Sequence, residues 1–110
     1  MERQNQIVLA IGSNEGDRLD NIQKAIACLH SEVGTVVKVS KLYETPAWGF
    51  DSEPFYNCAL VMNSMLSAQI ILDKVLGLET QLGRVRSDSN NYQSRLIDID
   101  VIAYNEDIIK

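Results

Sequence analysis

Ile7-Val8-Leu9-Ala10-Ile11 is a run of five apolar residues that stops at Gly12-Ser13-Asn14. A short continuous apolar run closed by turn residues predicts a strand buried on both faces. Working outward from it, Leu19, Ile22, Ile26 and Leu29 recur at helical spacing, with Asp17 placed as N-cap and Gly34 at the exit. Thr35 to Tyr43 is rich in β-branched residues and predicts a second strand. Glu44 to Pro54, which holds both prolines, Gly49 and Trp48, reads as a loop. Tyr56 to Ser64 predicts a third strand. Ser67 then caps a second helix whose apolar face is Ile71, Val75, Leu78 and Leu82. Gly77 costs that helix about 1 kcal/mol against alanine, and the sequence offers no reason for it. Gly83 to Ser94 is polar and patternless; Leu96 to Tyr104 predicts a fourth strand. Asn105-Glu106-Asp107 looks like a turn, and Ile108-Ile109 the start of another strand.

The resulting order, β-α-β-β-α-β, predicts an α+β fold of the ferredoxin-like kind, one antiparallel sheet with both helices on one face. Right-handed crossovers would put the first and third strands side by side, with the fourth beside the first. At 110 residues the chain fits a single domain. This architecture serves many unrelated functions, so function has to be read from particular residues.

Composition narrows the classes. No apolar run approaches the roughly 20 residues of a membrane helix, and the first six residues lack the apolar stretch of a secretory signal. A cytoplasmic protein, expected as a monomer, is the simple reading. Cys28 and Cys58 form no CxxC pair and predict buried free thiols. His30, at the end of a helical stretch, reads as a cation at the helix end or a hydrogen-bond partner of the last carbonyls. The net charge of −5 argues against nucleic-acid binding. Yet Arg84, Arg86 and Arg95 crowd one short stretch of this acidic chain, which implies a local role for them.

Arg95-Leu96-Ile97-Asp98-Ile99-Asp100-Val101-Ile102 carries the strongest chemical signal. Alternation puts Asp98 and Asp100 on one face, about 7 Å apart, and Ile97, Ile99 and Val101 on the other. Aspartate is disfavoured in strands, and paired like charges call for something positive above them. Magnesium bridging both carboxylates to a polyphosphate would suffice. Taken alone, the pair better suits an edge strand with a solvated acidic face, because DxD is common in strands. Gly83-Arg84-Val85-Arg86 just before it shifts that balance, because arginine forks match phosphate oxygens. Cations and arginines around a polyphosphate are the equipment of phosphoryl-type transfer. An ion-pair network of the same arginines with Asp98, Asp100 and Glu79 is the structural alternative. No GxxxxGK[ST] or GxGxxG occurs, so a nucleotide would be held by side chains and loops. Gly12-Ser13-Asn14 by itself reads as a turn. Tyr43-Glu44-Thr45-Pro46-Ala47-Trp48-Gly49 with Phe55-Tyr56-Asn57 gathers aromatics beside a primary amide, which suits a flat heterocycle or a loop pinned by ring packing.

With these residues in place, the chain resembles the 6-hydroxymethyl-7,8-dihydropterin pyrophosphokinases. The resemblance rests on Ala10-Ile11-Gly12-Ser13-Asn14, on Tyr43-Glu44-Thr45-Pro46 with Pro54-Phe55-Tyr56-Asn57, and on GRxR at 83–86 followed by RxxDxD at 95–100. It implies Mg-dependent transfer of diphosphate from ATP to a pterin alcohol, giving AMP, in folate biosynthesis. It implies two Mg²⁺ ions on Asp98 and Asp100, with Arg84 and Arg95 beside them as catalytic residues. Thr45, Pro46, Trp48, Phe55, Asn57 and Tyr92 would hold the pterin. Glu79, Arg84, Arg86, Arg95 and Val101 would hold ATP. Asn91 stands where some relatives carry an arginine, so one phosphate contact is expected to be missing or supplied elsewhere. Relatives also continue past Lys110, so a family core without its C-terminal segment, and weak or absent turnover, is expected.

A non-catalytic ferredoxin-like small-molecule-binding module is the alternative, and it gives no reason for Asp98 and Asp100. An RNA-binding domain of the same fold would need aromatics on the central strands and a basic sheet face. The aliphatic first strand and acidic charge oppose that.

Overall fold

The structure is a computed structural model that describes residues 4–46, 54–83, 97–105 and 107–108. In chain order the elements are β1 (Asn5–Ser13), α1 (Arg18–Glu32), β2 (Thr35–Val39), β3 (Tyr43–Thr45), β4 (Phe55–Ser64), α2 (Ala68–Gly83), β5 (Asp98–Tyr104) and β6 (Asp107–Ile108). The sheet runs β2-β4-β1-β5-β6, with β3 also paired to β4, and all pairings are antiparallel. This is the expected ferredoxin-like order: β4 and β5 flank β1.

Burial along β1 alternates, which corrects the expectation of a strand covered on both faces. Ile7, Leu9 and Ile11 are buried, whereas Val8 and Ala10 are only half-buried. The reason is that both helices pack on the same side. Ile22, Ala25 and Leu29 of α1 and Ile71, Val75 and Leu78 of α2 share one core with Ile7, Leu9, Ile11, Leu60, Met62, Ile99 and Val101. The opposite face carries Val8, Ala10 and Gly12, whose apolar character the strand pattern alone did not assign to an uncovered side.

Asp17 caps α1 as expected, its side chain accepting from the Asp20 N–H at 3.0 Å. Leu19, however, is 46% exposed, and Ala25 takes the core position between Ile22 and Leu29. His30 does not bond the last carbonyls of its helix; its Nδ1 accepts from the Val36 N–H at 3.1 Å and ties α1 to β2. Cys58 is buried, and burial pushes its thiol pKa up. Cys28 is only partly buried.

The second expected strand is two. A register irregularity between Val36 and Lys38 bends β2 against β4. Ser40 follows, donating its N–H to the Ala59 carbonyl and accepting the Ala59 N–H on its hydroxyl, so the ladder continues by side chain where the backbone turns aside. β3 then resumes pairing opposite Phe55, Tyr56 and Asn57. At the other end of the sheet, Asn105 adopts a left-handed φ of 57°, which asparagine tolerates. Its side chain accepts from the Gln6 N–H and donates to Asn5, prolonging the β1–β5 pairing.

Ser67 caps α2 through its hydroxyl, which accepts from the Ile70 N–H, and its carbonyl, which accepts from Ile71. Gly77 lies on the open side of this helix; a Cβ built there meets nothing within 4 Å. Gly34 is the opposite case, since its Cβ would strike the Asn63 carbonyl oxygen. Gly77→Ala should therefore raise stability in urea denaturation by about 1 kcal/mol, while Gly34→Ala should lower it by about 1–3 kcal/mol.

Candidate active site

The uncovered face of the sheet brings the expected residues into rows. Register places Asn57 of β4, Gly12 of β1 and Asp98 of β5 side by side, and Ala59, Ala10 and Asp100 in the next row on that face. Two strand spacings separate Asn57 from Asp98, about 10 Å. Between them lies a floor of small residues. A Cβ at Gly12 would come to 2.9 Å from Asn57 Oδ1 and 3.5 Å from the Phe55 ring, so the amide and ring lean over the glycine. Gly12 and Ser13 belong to β1 and not to the turn assigned to them. A glycine within a strand signals close approach by another group, and that signal was available in the sequence.

On the amide side, Asn57 Nδ2 donates to Thr45 Oγ1 at 2.8 Å. Cross-strand pairing sets Thr45 opposite Phe55 and Tyr43 opposite Asn57, so these four side chains share the uncovered face. Pro46 follows directly. Ring, amide and hydroxyl therefore stand together on this face.

On the carboxylate side, alternation holds as expected: Ile97, Ile99 and Val101 are buried, Asp98 is half-buried and Asp100 exposed. Glu79 reaches this strand from α2, and its Oε2 accepts the Ile99 N–H at 2.6 Å. Desolvation raises the Glu79 pKa; the Ile99 hydrogen bond opposes this, while the charges of Asp98 and Asp100 and a hydrogen bond with Asp98 add to it. Three carboxyl groups thus crowd the start of β5. Among the described residues, β6 pairs with Ala103 and Tyr104 on the outer edge of β5. Beside the remainder, a cavity of about 700 Å³ opens between β5 and α2, bounded by Leu72, Leu76, Glu79, Asp100, Val101 and Ile102. Val101 contributes from the strand edge, its side chain being buried toward α2.

Trp48, Arg84, Arg86, Asn91, Tyr92 and Arg95 lie outside the described residues. Of the expected set, Thr45, Phe55 and Asn57, with Pro46 next in the chain, fall at one end of the small-residue floor and Asp98 and Asp100 at the other, while Glu79 and Val101 lie on the α2 side of β5. Sequence reasoning missed Arg18. Its Nη1 donates to the Pro54 carbonyl at 2.8 Å, its guanidinium lies 3.9 Å from the Tyr56 ring centroid, and Glu44 Oε2 stands 3.7 Å away. No sequence pattern signals an arginine on a first helical turn stacking under a strand some 40 residues on.

Among the described residues no helix is long and apolar enough to cross a membrane. The family model for 7,8-dihydro-6-hydroxymethylpterin-pyrophosphokinase matches residues 8–109. Curated relatives with the name 2-amino-4-hydroxy-6-hydroxymethyldihydropteridine pyrophosphokinase are similar along most of the chain. That of Porphyromonas gingivalis is 38% identical over 101 residues, 90% of this chain and 69% of the relative. That of Aquifex aeolicus is 36% identical over 105 residues, 94% and 64% respectively. That of Bacillus subtilis is 35% identical over 104 residues, 93% and 61%. The chain thus spans about two thirds of the length of these relatives.

The Glu79 environment has a measurable consequence. A carboxyl whose folded pKa is raised binds its proton more readily in the fold than in the unfolded chain. The stability it contributes is present at low pH and is lost as pH rises through its folded titration. Glu79→Gln keeps an acceptor for the Ile99 N–H and removes the charge. The metal-free variant should therefore melt above the parent near pH 7, with the gap closing toward about pH 4. A gap that does not change with pH would count against the crowded-carboxylate geometry.

Proposed function

Because the chain belongs to the 7,8-dihydro-6-hydroxymethylpterin-pyrophosphokinase family, a family of diphosphokinases, we propose that it transfers diphosphate from ATP to the hydroxymethyl group of 6-hydroxymethyl-7,8-dihydropterin. The observation that carries this reading is the row Asn57–Gly12–Asp98, which sets an amide with its neighbouring ring and an acidic end on one face, about 10 Å apart.

In this reading the pterin lies against Phe55, with its polar edge on Asn57, Thr45 and the backbone around Pro46; Trp48 and Tyr92 complete its surroundings. Gly12 and Ala10 leave the floor low enough for the hydroxymethyl arm to reach toward β5. ATP lies along the β5–α2 side, with Glu79 and Val101 beside it and Arg84, Arg86 and Arg95 on its phosphates. The pterin oxygen attacks the β-phosphorus in line. A new oxygen–phosphorus bond forms, the bond to the oxygen bridging the α- and β-phosphorus breaks, the alcohol proton is released, and AMP leaves. Holding both reactants in that line is the protein's main contribution.

The carboxylates suit magnesium. Among the described residues no three His, Cys, Asp or Glu side chains enclose a metal by themselves. Asp98 and Asp100 would instead hold it by one or two carboxylates, with phosphate oxygens and water completing the shell. Repulsion among Asp98, Asp100 and Glu79 favours such a cation. When bound, magnesium supplies charge neutralisation to the phosphate oxygens.

Titration of a non-hydrolysable ATP analogue should show affinity at least about tenfold higher with magnesium than without. Metal-independent binding would favour a non-catalytic binding module. Asp98→Ala and Asp100→Ala should each lower transfer by about a thousandfold or more while leaving pterin affinity largely intact. An active Asp100→Ala enzyme would remove the metal-holding role.

A further inference from the structure

Arg18 is the first residue of α1, on the helix-covered side of the sheet, and its side chain is 19% exposed. Among the described residues it meets two separate stretches of chain. It donates to the carbonyl of Pro54, which immediately precedes β4; it stacks on Tyr56 of β4; and it faces Glu44 of β3. Glu44 and Tyr56 are cross-strand partners, so Arg18 grips the β3–β4 pair from below. Thr45, Phe55 and Asn57, each adjacent in sequence to one of these, project from the upper face, where Asn57 bonds Thr45. β3 is only three residues long, with no strand other than β4 assigned beside it among the described residues. So short a strand depends on other contacts to hold its register.

We propose that Arg18 is a positioning residue that fixes the Thr45–Phe55–Asn57 end of the site from the opposite side of the sheet, and so sets affinity for the heterocycle and not for the nucleotide. The inference rests on the pterin reading above and deepens it. Among its contacts with the described residues, the stacking on Tyr56 and the charge-assisted bond to Pro54 outweigh the ion pair. The Glu44 pair adds little, since Glu44 is 56% exposed and solvent screens it. Lysine cannot replace arginine here, because its ammonium offers neither a flat face to the ring nor a fixed fork.

The test uses Arg18→Lys and Arg18→Gln, with Tyr56→Leu and Tyr56→Phe as ring-removing and ring-keeping partners. Hydrogen exchange without ligand should quicken selectively at Thr45, Phe55 and Asn57 in Arg18→Gln, Arg18→Lys and Tyr56→Leu, and stay near wild type in Tyr56→Phe. The dissociation constant for the hydroxymethyl pterin should weaken about five- to twentyfold in the same three variants, with that for the ATP analogue changed less than about twofold. Unchanged exchange in Arg18→Lys overturns the clamp. Faster exchange with undiminished pterin affinity overturns the positioning role. Parallel losses of both ligands overturn it too, by showing a general destabilisation. A wild-type protein that binds no pterin at all sinks the functional reading and this role with it, while the exchange data still judge the clamp.

Discussion

Antiparallel registration of β1 between β4 and β5 is the constraint on which the remainder depends. Each residue of β1 has a fixed neighbour on either side: Ile11 stands between Cys58 and Ile99, and Gly12 between Asn57 and Asp98. The first row belongs to the core, the second to the candidate site. A slip of one residue would exchange them, burying two aspartates under α2 and exposing the isoleucines. Hydrophobic burial of Ile7, Leu9 and Ile11 thus aligns the polar groups on the reverse face at no separate cost. Several bonds at the far end hold the same alignment: Asn105 with Gln6 and Asn5, and the Tyr104 hydroxyl and Asn5 amide donating to the Leu66 carbonyl.

Glu79, Asp98 and Asp100 work against that economy. The helix that shields Ile99 from water also brings Glu79 to it, and the carboxyl satisfies the strand's N–H while incurring repulsion from its neighbours. A core built for stability alone would place an amide or hydroxyl there. Local rules of this kind are broken mostly where a ligand completes the arrangement.

Much of this was legible in the sequence, for identifiable reasons. Helical recurrence at Ile22 and Leu29, and at Ile71, Val75 and Leu78, depends on a period that the apolar residues state directly. Alternation through Ile97-Asp98-Ile99-Asp100-Val101 fixed which side chains share a face. The misreadings occurred where tertiary context decides. The five apolar residues of β1 read as covered on both faces, although the β-α-β-β-α-β order already put both helices on one side; Val8 and Ala10 are accordingly only half-buried. Leu19 satisfies the helical spacing, yet it sits exposed on the first turn of α1, while Ala25, between Ile22 and Leu29, is buried. The break at Ser40 follows from a side chain standing in for a peptide group, which no propensity reports. Asn57 and Thr45 were legible as types, but their bond to one another depends on the pairing of β3. Arg18 acts through contacts distant in sequence, with Glu44, Pro54 and Tyr56 among the described residues, and was invisible.

The irregularity in β2 has a further bearing on how copies of this chain behave toward each other. β2 is an outer strand of the sheet, and it displays Val37 and Val39 to solvent. A flat outer strand with such residues would be a template for intermolecular pairing. The shift between Val36 and Lys38 interrupts its straight row of donors and acceptors, and Lys38 adds a charge at the break. Bent and charged, that margin makes a poor template for the addition of a further strand, despite its greasy rim.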